Sequence, residues 1–423
     1  MANGTTRDDD LPETAPPETA APADLPDAEQ SGNRRSSGAR PSHIAFMAAP
    51  AHGHVNPSLG LVAELVDRGH RVTFPTTREF APQIADAGAA PVLYETTLPS
   101  AENEARWPED QTSTARMFLR ETASALARVE AAYEHDRPDV IVFDTTALQA
   151  LILSRRWSVP HVQILATHVW CPELEERFGS MSAAERETIA GEFDEFLSRQ
   201  DVGLSFPDLA LPERGLVTIA RRFQYGSGTL PDCYTFVGPM LSERGAQAEW
   251  QPPDDRPVLL ISMGSAYNEQ LELYRECLRA FADLDWHVVL ATGGFVAREE
   301  LGEIPANVDV RPWVPQLRIL SRADAFITHA GMGGTMEALR HAVPLIAIPQ
   351  AGDQFPNAER IAELGLGERL PREDVTVERL REALFRVSGD GEVRRALRDM
   401  QEAILAAGGS GAGADLVEGL LAE

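Results

Sequence analysis

Short apolar runs alternate with amphipathic helical stretches along most of this chain, and that alternation leaves few folds open. The runs at 43–47, 71–74, 91–94, 139–144 and 161–165 read as buried strands. Between the first two, Leu59, Val62, Leu65 and Val66 share one helical face that closes at Gly69. A polar, Pro-rich stretch at 241–257 interrupts the pattern and reads as a linker. Alternation resumes with strands at 258–263, 286–290, 308–310, 325–328 and 345–348, and with helices at 271–281 and 334–340. Strands that alternate with helices form parallel sheets covered on both faces. The expected fold class is therefore α/β. Two Rossmann-like domains, 41–240 and 258–423, face each other across a cleft, and the last helix is expected to reach back to the first domain. The order of strands within each sheet does not follow from the pattern.

Residues 1–40 are rich in Pro, Ala, Glu, Asp, Ser and Gly. Such a segment buries too little apolar surface to offset its ordering entropy, and it reads as a disordered tail. The formal net charge of -27 opposes binding to nucleic acid or to anionic membrane surfaces. No apolar run is long enough to span a bilayer. The three cysteines, Cys171, Cys233 and Cys277, are widely spaced and form no CxxC pair, so neither a zinc site nor a disulfide framework is expected. No secretion signal is evident at the N-terminus, which makes the cytoplasm the expected location. There is no Lys, which removes lysine from the list of nucleophiles.

Ligands of open parallel sheets bind beyond the carboxyl ends of the strands, so the loops after strands carry most weight. The loop Thr328-His329-Ala330-Gly331-Met332-Gly333-Gly334-Thr335 joins a strand to a helix. Its small residues allow close backbone approach, and a helix N-terminus offers free N–H groups to a diphosphate. The same residues also make an ordinary tight turn. Met263-Gly264-Ser265 follows another strand and adds a hydroxyl. In 311–316, Trp313 suits stacking on a base and Gln316 suits a ribose hydroxyl, although a core tryptophan is equally consistent. Asp353 and Gln354 place a carboxylate beside an amide, which suits vicinal sugar hydroxyls and also an ordinary polar loop.

The other half offers His52-Gly53-His54. This spacing chelates metal poorly, and no metal site is expected. A neutral imidazole can instead act as a general base, oriented by the carboxylate of Asp144 at another strand end. Residues 168–205, rich in Glu, Phe, Trp and Leu, are expected to shape an apolar acceptor pocket through Val169, Trp170 and Phe178.

The order Trp313-Val314-Pro315-Gln316, His329-Ala330-Gly331, Glu337, Asp353-Gln354 resembles the donor signature of nucleotide-sugar glycosyltransferases with the GT-B fold. Ala51-His52-Gly53-His54-Val55-Asn56-Pro57-Ser58-Leu59 resembles the acceptor-side loop of the same family. The similarity runs from about His43 to the C-terminus and is strongest to macrolide glycosyltransferases, which glucosylate and inactivate macrolide antibiotics. It implies that His54 is the base and Asp144 its support. It also implies that Trp313 and Val314 hold uracil, that Gln316 and Glu337 contact ribose, and that Ser265, His329, Gly331, Gly333 and Gly334 hold the diphosphate. Asp353 and Gln354 would bind the hexose. Relatives carry a hydroxyl residue near position 334. Here Gly334 stands there, and Thr335 or backbone N–H groups are the substitutes.

The implied reaction moves glucose from UDP-glucose to a hydroxyl of a macrolide or a similar lipophilic acceptor. It inverts the anomeric centre, uses no metal or cofactor, and releases UDP from a monomer or homodimer. Transfer of a TDP-linked deoxysugar and epimerisation of a UDP-sugar are the alternatives.

Overall fold

The computed structural model describes residues 41–100, 107–108, 110–179, 181–242, 249–265 and 268–422. The tail expected to be disordered, 1–40, lies outside the described residues, as does 243–248 of the expected linker. The first series runs β1 (His43–Met47), α1 (His52–Asp67), β2 (Arg71–Thr76), α2 (Ala81–Asp86), β3 (Ala90–Leu93), α3 (Gln111–Ala132), β4 (Val140–Asp144) and α4 (Leu148–Trp157). It continues with β5 (His161–Leu165), α5 (Pro172–Phe178), α6 (Ala183–Ser198), α7 (Phe206–Ala210), β6 (Gly215–Val217) and β7 (Tyr234–Phe236). The second series runs β8 (Val258–Ser262), α8 (Leu271–Phe281), β9 (His287–Ala291), β10 (Val308–Arg311), α9 (Gln316–Leu320), β11 (Ala325–Thr328) and α10 (Met332–Arg340). It ends with β12 (Leu345–Ala347), α11 (Gln354–Glu363), β13 (Gly367–Arg369), α12 (Val377–Gly389), α13 (Gly391–Ala406) and α14 (Gly409–Leu420).

Each series builds one parallel sheet, in the orders β3-β2-β1-β4-β5-β6-β7 and β10-β9-β8-β11-β12-β13. The central strands β1, β4, β8 and β9 are buried at every position, as strands covered by helices on both faces must be. β6, β7 and β13 have three residues each, too few to show a period, and were not expected from the sequence.

Both sheets reverse direction at a central pair, β1 beside β4 and β8 beside β11. A crevice opens at such a point because the loops leave toward opposite faces. Register sets which loops meet there. Met47 pairs with Phe143, so the entry to α1 lies beside the end of β4. Ser262 pairs with Thr328, so the turn after β8 lies beside the loop that starts α10.

The segment 49–57, read from sequence as a loop, is shorter than expected. α1 begins at His52 and contains Pro57. The carbonyl of Gly53, four residues before that proline, is left without its helical donor, which the solvent-exposed start of a helix tolerates. The last helix, α14, packs on α1 and adds Ala414, Val417 and Leu420 to the core of the first sheet. Arg68 binds Glu64, Asp415 and Glu418 there, while Gly60 permits close approach of the Met240 carbonyl. A further core joins residues of the two series, with Leu165, Val169, Ile219 and Phe223 packed among Phe326, Met332, Ala358 and Ile361.

Candidate active site

The two acceptor-side candidates meet at the switch point of the first sheet. His54 stands in the first turn of α1 and Asp144 is the last residue of β4. His54 Nδ1 lies 2.6 Å from Asp144 Oδ2. Thr146 donates its backbone N–H to Asp144 Oδ1 at 3.0 Å, and its hydroxyl donates to the same oxygen. Asp144 is buried, whereas about a quarter of the His54 side chain, 26%, is open. Burial alone would raise the Asp144 pKa. The charge and hydrogen bond of His54, together with the Thr146 bonds, outweigh burial and hold the carboxyl below its usual range. For His54, burial opposes the charged form, but the charge and hydrogen bond of Asp144, with the charge of Asp353, leave its pKa raised. An ionised Asp144 fixes the proton on Nδ1 and leaves the Nε2 lone pair free to accept one.

The open edge of His54 meets an aromatic wall that the sequence did not reveal. Phe118, on α3, approaches the His54 ring edge-on at 5.7 Å, and Trp107 lies 6.4 Å from Phe118. Ala49, Leu98 and Met117 back these rings. Glu121 pins the neighbouring loop by accepting from Tyr94 Oη and from Thr97 N and Oγ1. The wall expected from 168–205 is a correction. Val169 is buried in the shared core, its N–H held by Gln224, and Phe178 packs on Tyr225. Trp170 is exposed, and its indole N–H goes to Glu175. Val169 and Phe178 are thus taken up by other parts of the protein, and of the three only Trp170 stays exposed.

On the facing sheet, Trp313 is 58% exposed, so it is no core tryptophan. It meets the other half directly, with the His52 ring 5.8 Å away. Val314 is partly buried beneath it. Gln316 donates from Nε2 to Glu337 Oε2 at 2.6 Å, so the two expected ribose contacts hold each other. Burial pushes the Glu337 carboxyl up to about 7 against the opposing hydrogen bond from Gln316.

The expected diphosphate loop is tight. Gly264 has φ of 78°, and a Cβ there would stand 2.5 Å from His329 Cε1. A Cβ on Gly331 would collide with the same ring, 2.3 Å from Nε2. His329 thus sits between two glycines, and burial lowers its pKa to about 4 although the Ser262 carbonyl accepts from the ring. The imidazole is therefore neutral near pH 7. Ser265 follows Gly264 and is half-buried. Gly333 faces open space at the start of α10, and Gly334 lies against Gln316 and Phe326. Thr335 is a correction. It is fully buried inside α10, so its hydroxyl does not reach the open loop, and the backbone N–H groups near Gly333 remain as donors.

Asp353 caps the start of α11 and is exposed at the surface, with protein groups crowded round its carboxyl. Burial raises its pKa, while hydrogen bonds from Asn357 and Thr167 and the charge of His54 act the other way. The nucleotide-side and acceptor-side residues therefore converge at Asp353 and His54. Gln354 is only partly available, because its Oε1 accepts from the N–H groups of Gln350 at 2.8 Å and Ala351 at 3.1 Å. Its amide nitrogen is the end left for a ligand. Among the described residues, no cluster of three His, Cys, Asp or Glu side chains has the arrangement of a metal site. No helix there is long and apolar enough to cross a membrane.

Residues 275–412 match the family model for the erythromycin biosynthesis protein CIII-like C-terminal domain. The chain is 42% identical to the oleandomycin glycosyltransferase of Streptomyces antibioticus, over 89% of this chain and 90% of that protein. It is 38% identical to the NDP-glycosyltransferase YjiC of Bacillus subtilis (strain 168), over 90% and 97%. The crystal structure of the glycotransferase of kitacinnamycin superposes with a TM-score of 0.80 at 38% identity, covering 90% of this chain and 99% of that one.

Proposed function

Since this chain belongs to the glycosyltransferase family with the erythromycin CIII-like C-terminal domain and has the GT-B fold, we propose that it transfers glucose from UDP-glucose to a hydroxyl of a macrolide. The observation that carries this reading is the His54–Asp144 pair at 2.6 Å, beside an apolar wall and within electrostatic reach of Asp353. His54 Nε2 takes the proton of the acceptor hydroxyl as its oxygen attacks the anomeric carbon. The bond from that carbon to the UDP oxygen breaks, UDP departs with the electron pair, and the configuration inverts. Asp144 stabilises the imidazolium that forms. Backbone N–H groups at the start of α10 meet the charge that develops on the leaving diphosphate. His329, in the loop that leads into α10, stands beside these donors.

The macrolide comes from the resemblance and from the oleandomycin relative, and the apolar wall of Phe118 and Trp107 suits a lipophilic acceptor. Glucosylation would mask a hydroxyl of the antibiotic and so inactivate it, which gives the producer self-resistance. The engaged carbonyl of Gln354 favours one second reading, a TDP-linked deoxysugar that needs fewer hydroxyl contacts. Incubation of the chain with UDP-glucose or TDP-glucose and one macrolide, read by mass, separates the two. A hexose adduct formed from UDP-glucose supports the first reading. An adduct from TDP-glucose alone overturns its donor. Conversion of the donor without acceptor, read by NMR because epimers have equal mass, points to an epimerase.

A further inference from the structure

Asn357 belongs to none of the motifs read from the sequence, yet it ties two parts of the candidate donor site together. It is fully buried on α11. Its Nδ2 donates to the carbonyl of Ala330 at 2.9 Å and reaches Asp353 Oδ2 at 3.3 Å. Ala330 lies between His329 and Gly331 and has φ of 64°, a left-handed conformation that an alanine adopts only when its surroundings impose it. The Asn357 amide is one such constraint, since it fixes the direction of the Ala330 carbonyl. The same amide orients the Asp353 carboxylate that faces the cleft.

The rest of the Asn357 side chain is enclosed as well. His168, from the loop after β5, is buried and close enough to interact with it and with Gln224. An apolar side chain of the same size would fill this space but could not hold the Ala330 carbonyl or the Asp353 carboxylate.

We propose that Asn357 is a positioning residue that sets the diphosphate loop at Ala330 and the Asp353 carboxylate as one unit. Affinity for the nucleoside diphosphate and selectivity among hexoses are then controlled together. The proposal rests on the reading of 329–334 and Asp353 as the donor site.

Asn357→Leu keeps about the size of the side chain, removes the Nδ2 donor and adds no second carboxyl beside Asp353. Three quantities test it: the Kd for UDP alone by calorimetry, the ratio of kcat/KM for UDP-glucose over its C4 epimer UDP-galactose, and the Tm. The expected result is a rise in Kd of about tenfold or more together with a fall in the ratio of about tenfold or more. Asp353→Asn should lower the ratio alone and leave the UDP Kd within about threefold. In the double variant the ratio should fall no further than in Asn357→Leu, because the two residues act through one contact. If Asn357→Leu does not fold, Asn357→Ala carries the same expectation. A variant with a lowered Tm but native Kd and native ratio overturns the proposal, as does a change in only one of the two. The UDP titration needs no turnover, so a native chain that binds UDP without transferring glucose refutes the glucose assignment, while the Kd in the Asn357 variant still tests the tie to the diphosphate loop. A native chain that binds neither UDP nor TDP overturns both.

Discussion

Around the second sheet the cleft residues hold one another: Gln316 bonds Glu337, Gln354 bonds the N–H groups of its own loop, and Asn357 bonds Asp353. Around the first sheet one bonded pair, His54 and Asp144, joins elements far apart in sequence. Asp144 is fixed at the end of β4, His54 in the first turn of α1, and Phe118 stands on a helix from another part of the chain. Several contacts among neighbouring segments suit a constant group such as a nucleoside diphosphate. A site assembled from distant elements fixes the reacting atoms and lets the pocket wall vary with the acceptor.

The sharpest way to break this comparison is Asp144→Asn. It removes the charge that orients and charges His54, and kcat should fall by about 10²–10⁴-fold, with UDP affinity unchanged by titration. The pH profile sharpens the test. The base must be neutral, and the Asp144 and Asp353 carboxylates raise the His54 pKa, so native activity should be lost as pH falls through a value above 6.5, the ordinary histidine pKa. In Asp144→Asn that inflection should move down.

Smaller effects should separate the two sides. Trp313→Ala removes the exposed stacking face, worth about 1–3 kcal/mol per base. It should raise the UDP Kd roughly tenfold to a hundredfold and leave the acceptor KM alone. Phe118→Ala should do the reverse. Aromatic contacts of about 0.5–1.5 kcal/mol imply a rise in acceptor KM of roughly threefold to tenfold, with the UDP Kd unchanged. Equal shifts in both constants from either variant would show that the halves are not separable.

The same difference explains what the sequence disclosed. The donor loops are contiguous or nearly so, between Trp313 and Gln354, and each follows a strand long enough to recognise. His54 and Asp144 were legible as a pair because both stand at strand exits, and β1 pairs with β4. The strand orders were not legible, since pairing is a long-range property. Phe118 carried no signal, because an aromatic residue on an amphipathic helix reads as core until its neighbours are known, and Trp107, before that helix, belongs to no periodic pattern. Asn357 was hidden for a related reason: a buried amide has meaning only through its partners. The expected wall at Val169 and Phe178 failed because those apolar side chains found partners within the protein. Thr335 failed because helical phase turned it inward.

If His54 takes the acceptor proton and the residues around the second sheet hold the nucleotide, then His54→Ala separates the two roles. In single turnover with UDP-glucose and a macrolide, transfer should fall by about 10²–10⁴-fold, while calorimetry should find the UDP Kd within about threefold of native. Native-like turnover in His54→Ala would show that another group is the base.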